Sequence, residues 1–113
     1  MIKIASKSEI PEGQKKVIEI KEKRILLTNY KGKIYAISAN CCHAGAPLED
    51  GILEGNKITC PWHRAQYDVT TGEATKDSAI PGLKQTKFEV KEEGEDILVN
   101  IWFSKTVLQQ ANY

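Results

Sequence analysis

The chain predicts an all-β fold, on three observations. Short runs alternate apolar and polar residues with period two, turn residues separate those runs, and no segment carries the 3.6-residue period of a helix. At 113 residues it is long enough for a single domain with one modest core. There is no internal repeat and no low-complexity segment.

The first expected strand, Val17-Ile18-Glu19-Ile20, follows the loop Pro11-Glu12-Gly13. Arg24 to Tyr30 and Lys33 to Ser38 form a hairpin across Lys31-Gly32, because glycine there supplies the positive φ that a tight turn needs. A second hairpin joins Lys87 to Lys91 with Ile97 to Phe103 across the acidic turn Glu92 to Asp96. Between the hairpins, residues 40–83 hold five of the eight glycines, three of the four prolines, all three cysteines and both histidines. Only Asn56 to Thr59 and Ala65 to Tyr67 read as regular there. A stretch this long without regular structure is functional when it carries ligands. The expected organisation is therefore a β base from residues 1–39 and 84–103, a loop-rich lobe from 40–83 organised by something other than apolar burial, and a tail from 104–113. The tail reads equally well as a short helix, a crossing strand or a frayed end.

Composition narrows the function. A net charge of +1 argues against nucleic acid as a partner. The charge is uneven, +5 over residues 1–35 and −4 over residues 36–113, which solvated strand faces explain most simply. No apolar run approaches the roughly 18 residues of a membrane span, and the N-terminus lacks the apolar core of a secretory signal. A cytoplasmic protein is expected, and cysteines in that compartment serve as ligands or free thiols more often than as disulfides.

The stretches Cys41-Cys42-His43 and Cys60-Pro61-Trp62-His63 carry the chemistry. They give Cys-x-His, sixteen intervening residues, then Cys-x-x-His. In an extended loop residues i and i+2 project to the same side, so Cys41 and His43 converge while Cys42 faces elsewhere. Two cysteines and two histidines suit either zinc or a two-iron, two-sulfur cluster. Structural zinc sites prefer knuckles of like ligands. Here each loop supplies one thiolate and one imidazole, which suits two metal centres side by side.

With Ala44-Gly45-Ala46-Pro47-Leu48 after the first pair and Trp62 inside the second, residues 41–63 resemble the Rieske iron–sulfur family. The similarity extends through Gly32 to Ile37 upstream and through Tyr67-Asp68 and Thr71-Gly72-Glu73 downstream. The resemblance implies a Rieske-type fold with antiparallel β-sheets or a sandwich as its base, and one [2Fe-2S] cluster as cofactor. It implies that Cys41 and Cys60 bind one iron, that His43 and His63 bind the other, and that the two histidines form the electron's exit route. The disulfide of respiratory members is excluded, since Ala46 and Trp62 occupy its positions. A hydroxyl donor of those members corresponds to Ala65 and their tyrosine to Tyr67, which implies a potential in the lower part of the Rieske range of about −150 to +300 mV. The segment Ser78 to Leu83 resembles the proline-containing loop over the cluster, with Trp62 and Pro81 expected to shield it. Arg64 stands where the family usually has a small residue, and Cys42 replaces a common proline as an inert thiol packed under its loop. Histidine ligation also implies a potential that falls as pH rises past ionisation of the imidazole N–H.

Ring-hydroxylating oxygenases add a mononuclear iron held by two histidines and a carboxylate. The cluster would take both histidines of this chain, and no dinucleotide fingerprint is present. The expected function is a one-electron carrier between a reductase and an acceptor such as an oxygenase. The alternatives are a small subunit of a larger complex resembling nitrite reductase, and a structural metal module.

Overall fold

The structure, a computed structural model, describes residues 1–42 and 45–104, the last three without their side chains. Among the described residues, nine strands form two antiparallel sheets. They are β1 (Ile2–Ser6), β2 (Lys15–Ile20), β3 (Lys23–Tyr30), β4 (Lys33–Ser38), β5 (Ile52–Glu54), β6 (Lys57–Thr59), β7 (Gln66–Asp68), β8 (Lys87–Glu93) and β9 (Asp96–Ser104). Six make the base sheet in the order β1-β9-β8-β4-β3-β2, and β5-β6-β7 make the smaller one. The base sheet curls until its edge strands β1 and β2 approach each other.

Period-two alternation in β3 and β4 sorts side chains to two cores. The row Leu27, Ala36 and Phe88 faces the inside of the curl with Ile25, Ile34, Ile97, Val99 and Ile101. The row Val17, Leu26 and Ile37 faces the other way, toward the smaller sheet. Both central strands are thus covered on both faces, as the unbroken burial from Ile25 to Asn29 requires.

Lys31 and Gly32 both have positive φ, as the expected hairpin demands. The β2–β3 turn uses Lys21 and Glu22 at positive φ without a glycine, a conformation that L-residues adopt at some cost. The acidic turn is tighter than the sequence suggests, because Glu93 pairs with Asp96 and leaves only Gly94 and Glu95 in the loop. Two strands were not among those expected. β1 alternates over too few residues to stand out and is defined by its pairing with β9, with a bulge between Lys3 and Ala5. β5 is three residues long and exists through its register with β6. The tail and the packing of Trp102 and Phe103 lie outside the described residues and side chains.

Gly51 links a short 3-10 turn (Leu48–Asp50) to β5 and has no room for a side chain: a Cβ would lie 2.1 Å from the Thr59 carbonyl oxygen. Substitution Gly51→Ala should cost about 1–3 kcal/mol through forced backbone movement, read as a lower denaturant midpoint at unchanged slope.

Glu92 ties three elements together, accepting from Lys7 Nζ at 2.6 Å and from the Ile34 N–H at 3.1 Å. Burial alone would push its carboxyl up, but the Lys7 ammonium and the Ile34 N–H outweigh it and hold the pKa below the ordinary value. The resulting stabilisation is present above the unfolded-state pKa and is lost as pH falls through the folded one. The stability gap between the native protein and Glu92→Gln should therefore shrink as pH drops from about 6 to about 3. Urea titrations across that range that give a constant gap would refute this.

Candidate metal centre

Two loops carry the cysteines, each closed by a hydrogen bond at its mouth. The first leaves the base after β4 and is closed by the Cys41 N–H donating to the Ala46 carbonyl at 2.8 Å. The second connects β6 to β7 and is closed by the Cys60 N–H donating to the Ala65 carbonyl at 2.7 Å. Each cysteine therefore opens a loop that an alanine carbonyl shuts five residues later. Ala46 and Ala65 are fully buried.

The thiols of Cys41 and Cys60 are each 2% exposed, and both are free of disulfide bonding. They share one apolar cluster with Leu26, Ile37, Leu48 and Ile58, and they interact with each other. Burial pushes the Cys60 thiol up, with the Cys41 thiol adding to the rise, while the backbone N–H of Trp62, directed at its sulfur, works in the opposite sense. Such thiols stay protonated unless a metal displaces the proton. Tyr67 is fully buried, with its hydroxyl 3.1 Å from Cys41 Sγ and 3.4 Å from Cys42 Sγ. Burial first, then the bonds to Cys41 and Cys42, push the phenol far above its ordinary range, so it remains a donor.

His63 lies on the exposed turn after Cys60, at φ 63°, followed by Arg64 at φ 56°. Two consecutive bulky residues in the left-handed region cost of order 1–3 kcal/mol each and persist where function holds them. The same backbone explains a preference for a small residue at position 64. His43 lies outside the described residues. Among the described residues, no three His, Cys, Asp or Glu side chains converge on a single point.

The segment 78–83 is tied to the second loop by the Ala79 N–H donating to the Arg64 carbonyl at 3.2 Å. Its apolar cover comes from Ile80 and Leu83, which pack against the cluster containing the thiols. Trp62 is 51% exposed and Pro81 also faces solvent, so half of the Trp62 surface is open to water. Cys42 departs from expectation: it is exposed, not packed beneath its loop, and its sulfur reaches the same Tyr67 hydroxyl as Cys41. The turn that follows it, closed by the Gly45 N–H on the Cys41 carbonyl, bends the chain out of the extended geometry that would send neighbouring side chains apart.

Two supports are absent from the sequence reading. Arg24 reaches from β3 to Asn40 Oδ1 and Glu49 Oε2, clasping the two ends of the first loop. Gln85 is fully buried and bonds to residues 38–42. A single arginine in a strand and a single glutamine between polar neighbours carry no pattern that periodicity can detect.

Tyr67→Phe keeps the ring and its packing but removes the donor to Cys41. A hydrogen bond to a charged partner contributes about 1.5–3 kcal/mol, and it stabilises the reduced centre more than the oxidised one. The midpoint potential of the variant should fall, as measured by mediated redox titration. An unchanged potential would mean that the hydroxyl does not serve Cys41.

Comparison with protein families matches residues 1–92 to the Rieske [2Fe-2S] domain. The ferredoxin component of the naphthalene 1,2-dioxygenase system of Pseudomonas aeruginosa is 36% identical over 93 residues, covering 82% of this chain and 88% of that protein. Human apoptosis-inducing factor 3 is 35% identical over 102 residues, covering 89% of this chain but 16% of that protein. Among solved structures, the ferredoxin of carbazole 1,9a-dioxygenase from Nocardioides aromaticivorans superposes with a TM-score of 0.79 at 27% identity, over 87% of this chain and 94% of the other. With the family matched across more than three quarters of its length and the fold shared with a solved ferredoxin, the chain belongs to the Rieske family, whose cofactor is one [2Fe-2S] cluster.

Proposed function

We propose that this protein is a Rieske-type ferredoxin of the cytoplasm, a one-electron carrier that takes electrons from a reductase and passes them to a terminal oxygenase. The observation that carries this reading is the pair of buried, reduced thiols of Cys41 and Cys60 beneath the exposed turn bearing His63. The donor set fits a [2Fe-2S] cluster, because two interacting thiols and an imidazole from separate loops match its mixed ligation. Cys41 and Cys60 would hold one iron as thiolates, and His43 and His63 the other through imidazole nitrogens. When bound, the cluster supplies a single-electron redox couple.

The chain's own residues do the rest. Leu26, Ile37, Ile58, Ile80 and Leu83 exclude water from the cysteine side. Tyr67 donates to Cys41 and the backbone N–H of Trp62 to Cys60, moderating the charge on the two sulfurs. His63 stands at the surface and gives the electron a short path to a docked partner. Ala65 offers no hydroxyl, which favours a low potential. The base of residues 1–39 and 84–103 would act as a rigid mount for the lobe of residues 40–83. Among the described residues no helix is long and apolar enough to cross a membrane. The support for an oxygenase partner is the likeness to ferredoxin components of dioxygenase systems that this chain spans nearly end to end.

Low-temperature EPR on anaerobically purified protein, with iron and acid-labile sulfide assayed on the same sample, tests the reading. A rhombic signal should appear only on reduction, with the low average g of a histidine-ligated cluster. Alanine at Cys41, His43, Cys60 or His63 should abolish that signal, while Cys42→Ala should keep it. Zinc without sulfide in the native protein would reduce the site to a structural one.

A further inference from the structure

Gln85 is one of three fully or nearly fully buried polar residues among those described, and its side chain is satisfied at both ends. Its Oε1 accepts from the Cys42 N–H at 2.5 Å, and its Nε2 donates to the carbonyls of Ser38 at 2.9 Å and Asn40 at 2.8 Å. The three partners are residues i, i+2 and i+4. One nitrogen reaches both the Ser38 and the Asn40 carbonyl, which a fully extended chain would hold too far apart, so the segment bends around the amide. The intervening residues use the opposite side: the Ala39 N–H donates to the Arg24 carbonyl at 3.0 Å and the Cys41 N–H to the Ala46 carbonyl at 2.8 Å.

Residues 38–42 therefore curl past the end of β4, with backbone partners on one side and a single amide side chain on the other. The missing neighbour is β8, which pairs with β4 at Ala36 and Ile37 and makes its last contact through the Ser38 N–H on the Thr86 carbonyl. Past that point Gln85 takes over. Its own backbone is fixed by its N–H donating to the Gly72 carbonyl at 2.7 Å. Gly72 has φ 80°, and a Cβ there would lie 2.6 Å from the Gln85 carbonyl oxygen. The contact is close enough to leave the glutamine little freedom.

We propose that Gln85 is a positioning residue for the cluster: its amide bridges residues 38, 40 and 42 past the end of β4, fixing where Cys41 presents its sulfur and keeping the Cys42 N–H occupied. This rests on the ligand reading given above for Cys41. The second half sets a sign. A backbone N–H directed at a cluster sulfur stabilises the added electron, so occupying the Cys42 N–H withholds one such donor.

The test compares the holoprotein with Gln85→Leu, which keeps bulk and removes all three bonds, and with Gln85→Glu, which keeps an acceptor for Cys42. At a fixed mediator potential the Leu variant should shift the reduced-to-oxidised ratio at least threefold toward reduced, with altered g values. Cluster loss on dilution should be several times faster. Hydrogen exchange followed by mass spectrometry should show the Cys42 amide protected in the native protein and in Gln85→Glu, despite the exposure of that residue. Native g values and redox ratio in the Leu variant would overturn the proposal, as would unprotected exchange at Cys42 in the native protein. If the Leu variant does not fold, the Glu variant carries the redox comparison and exchange in the native protein carries the geometric one. Absence of a rhombic signal from the native protein would instead overturn the ligand reading, while Cys42 protection still reports the bridge.

Discussion

Two hydrogen bonds organise the cysteine loops: the Cys41 N–H on the Ala46 carbonyl and the Cys60 N–H on the Ala65 carbonyl. Each fixes the mouth of a loop at the point where its cysteine enters the apolar interior. Closure at those points demands alanines small enough to be fully buried and a left-handed backbone where the chain must reverse, at Gly45 in one loop and at His63 and Arg64 in the other. The two thiols then meet inside one core, and Cys42, Gly45 and residues 61–64 are left at the surface. Buried thiols and an exposed His63 follow from that closure. Such an arrangement insulates charge on one side and opens the other to a partner.

The scaffold behind the loops is built to resist distortion. β3 and β4 are covered on both faces, so the row Val17, Leu26 and Ile37 serves the base sheet and the core around the two thiols together. Arg24 and Gln85 then restrain the first loop from opposite sides, one through an ion pair to Glu49 and the other through a buried amide. A redox centre benefits from this rigidity, because geometry that changes little between oxidation states keeps the reorganisation on electron transfer small.

Strands β2, β3, β4, β8 and β9 are legible in the sequence because alternation and turn chemistry are local, as at Lys31 and Gly32. β1 and β5 are not, since their strand character comes from partners far along the chain. The meeting of Cys41 with Cys60 is legible because ligand spacing survives any detail of loop conformation. The exposure of Cys42 and the bridge from Gln85 are not, because both depend on how a turn bends and on which edge of a strand lacks a neighbour. Pattern reading finds the residues that do chemistry more readily than those that hold them in place.

β4 and β8 are neighbours in the base sheet, yet residues 39–86 lie between them. The intervening segment therefore starts and ends about 5 Å apart, one strand spacing. Once that strand pair forms, closure of the long intervening loop is complete, and its entropic cost no longer opposes assembly of the lobe. The two cysteine loops then search for each other within a small tethered volume. In kinetic terms, the base sheet turns a contact between distant parts of the chain into a local one, so formation of the sheet should precede metal capture during maturation.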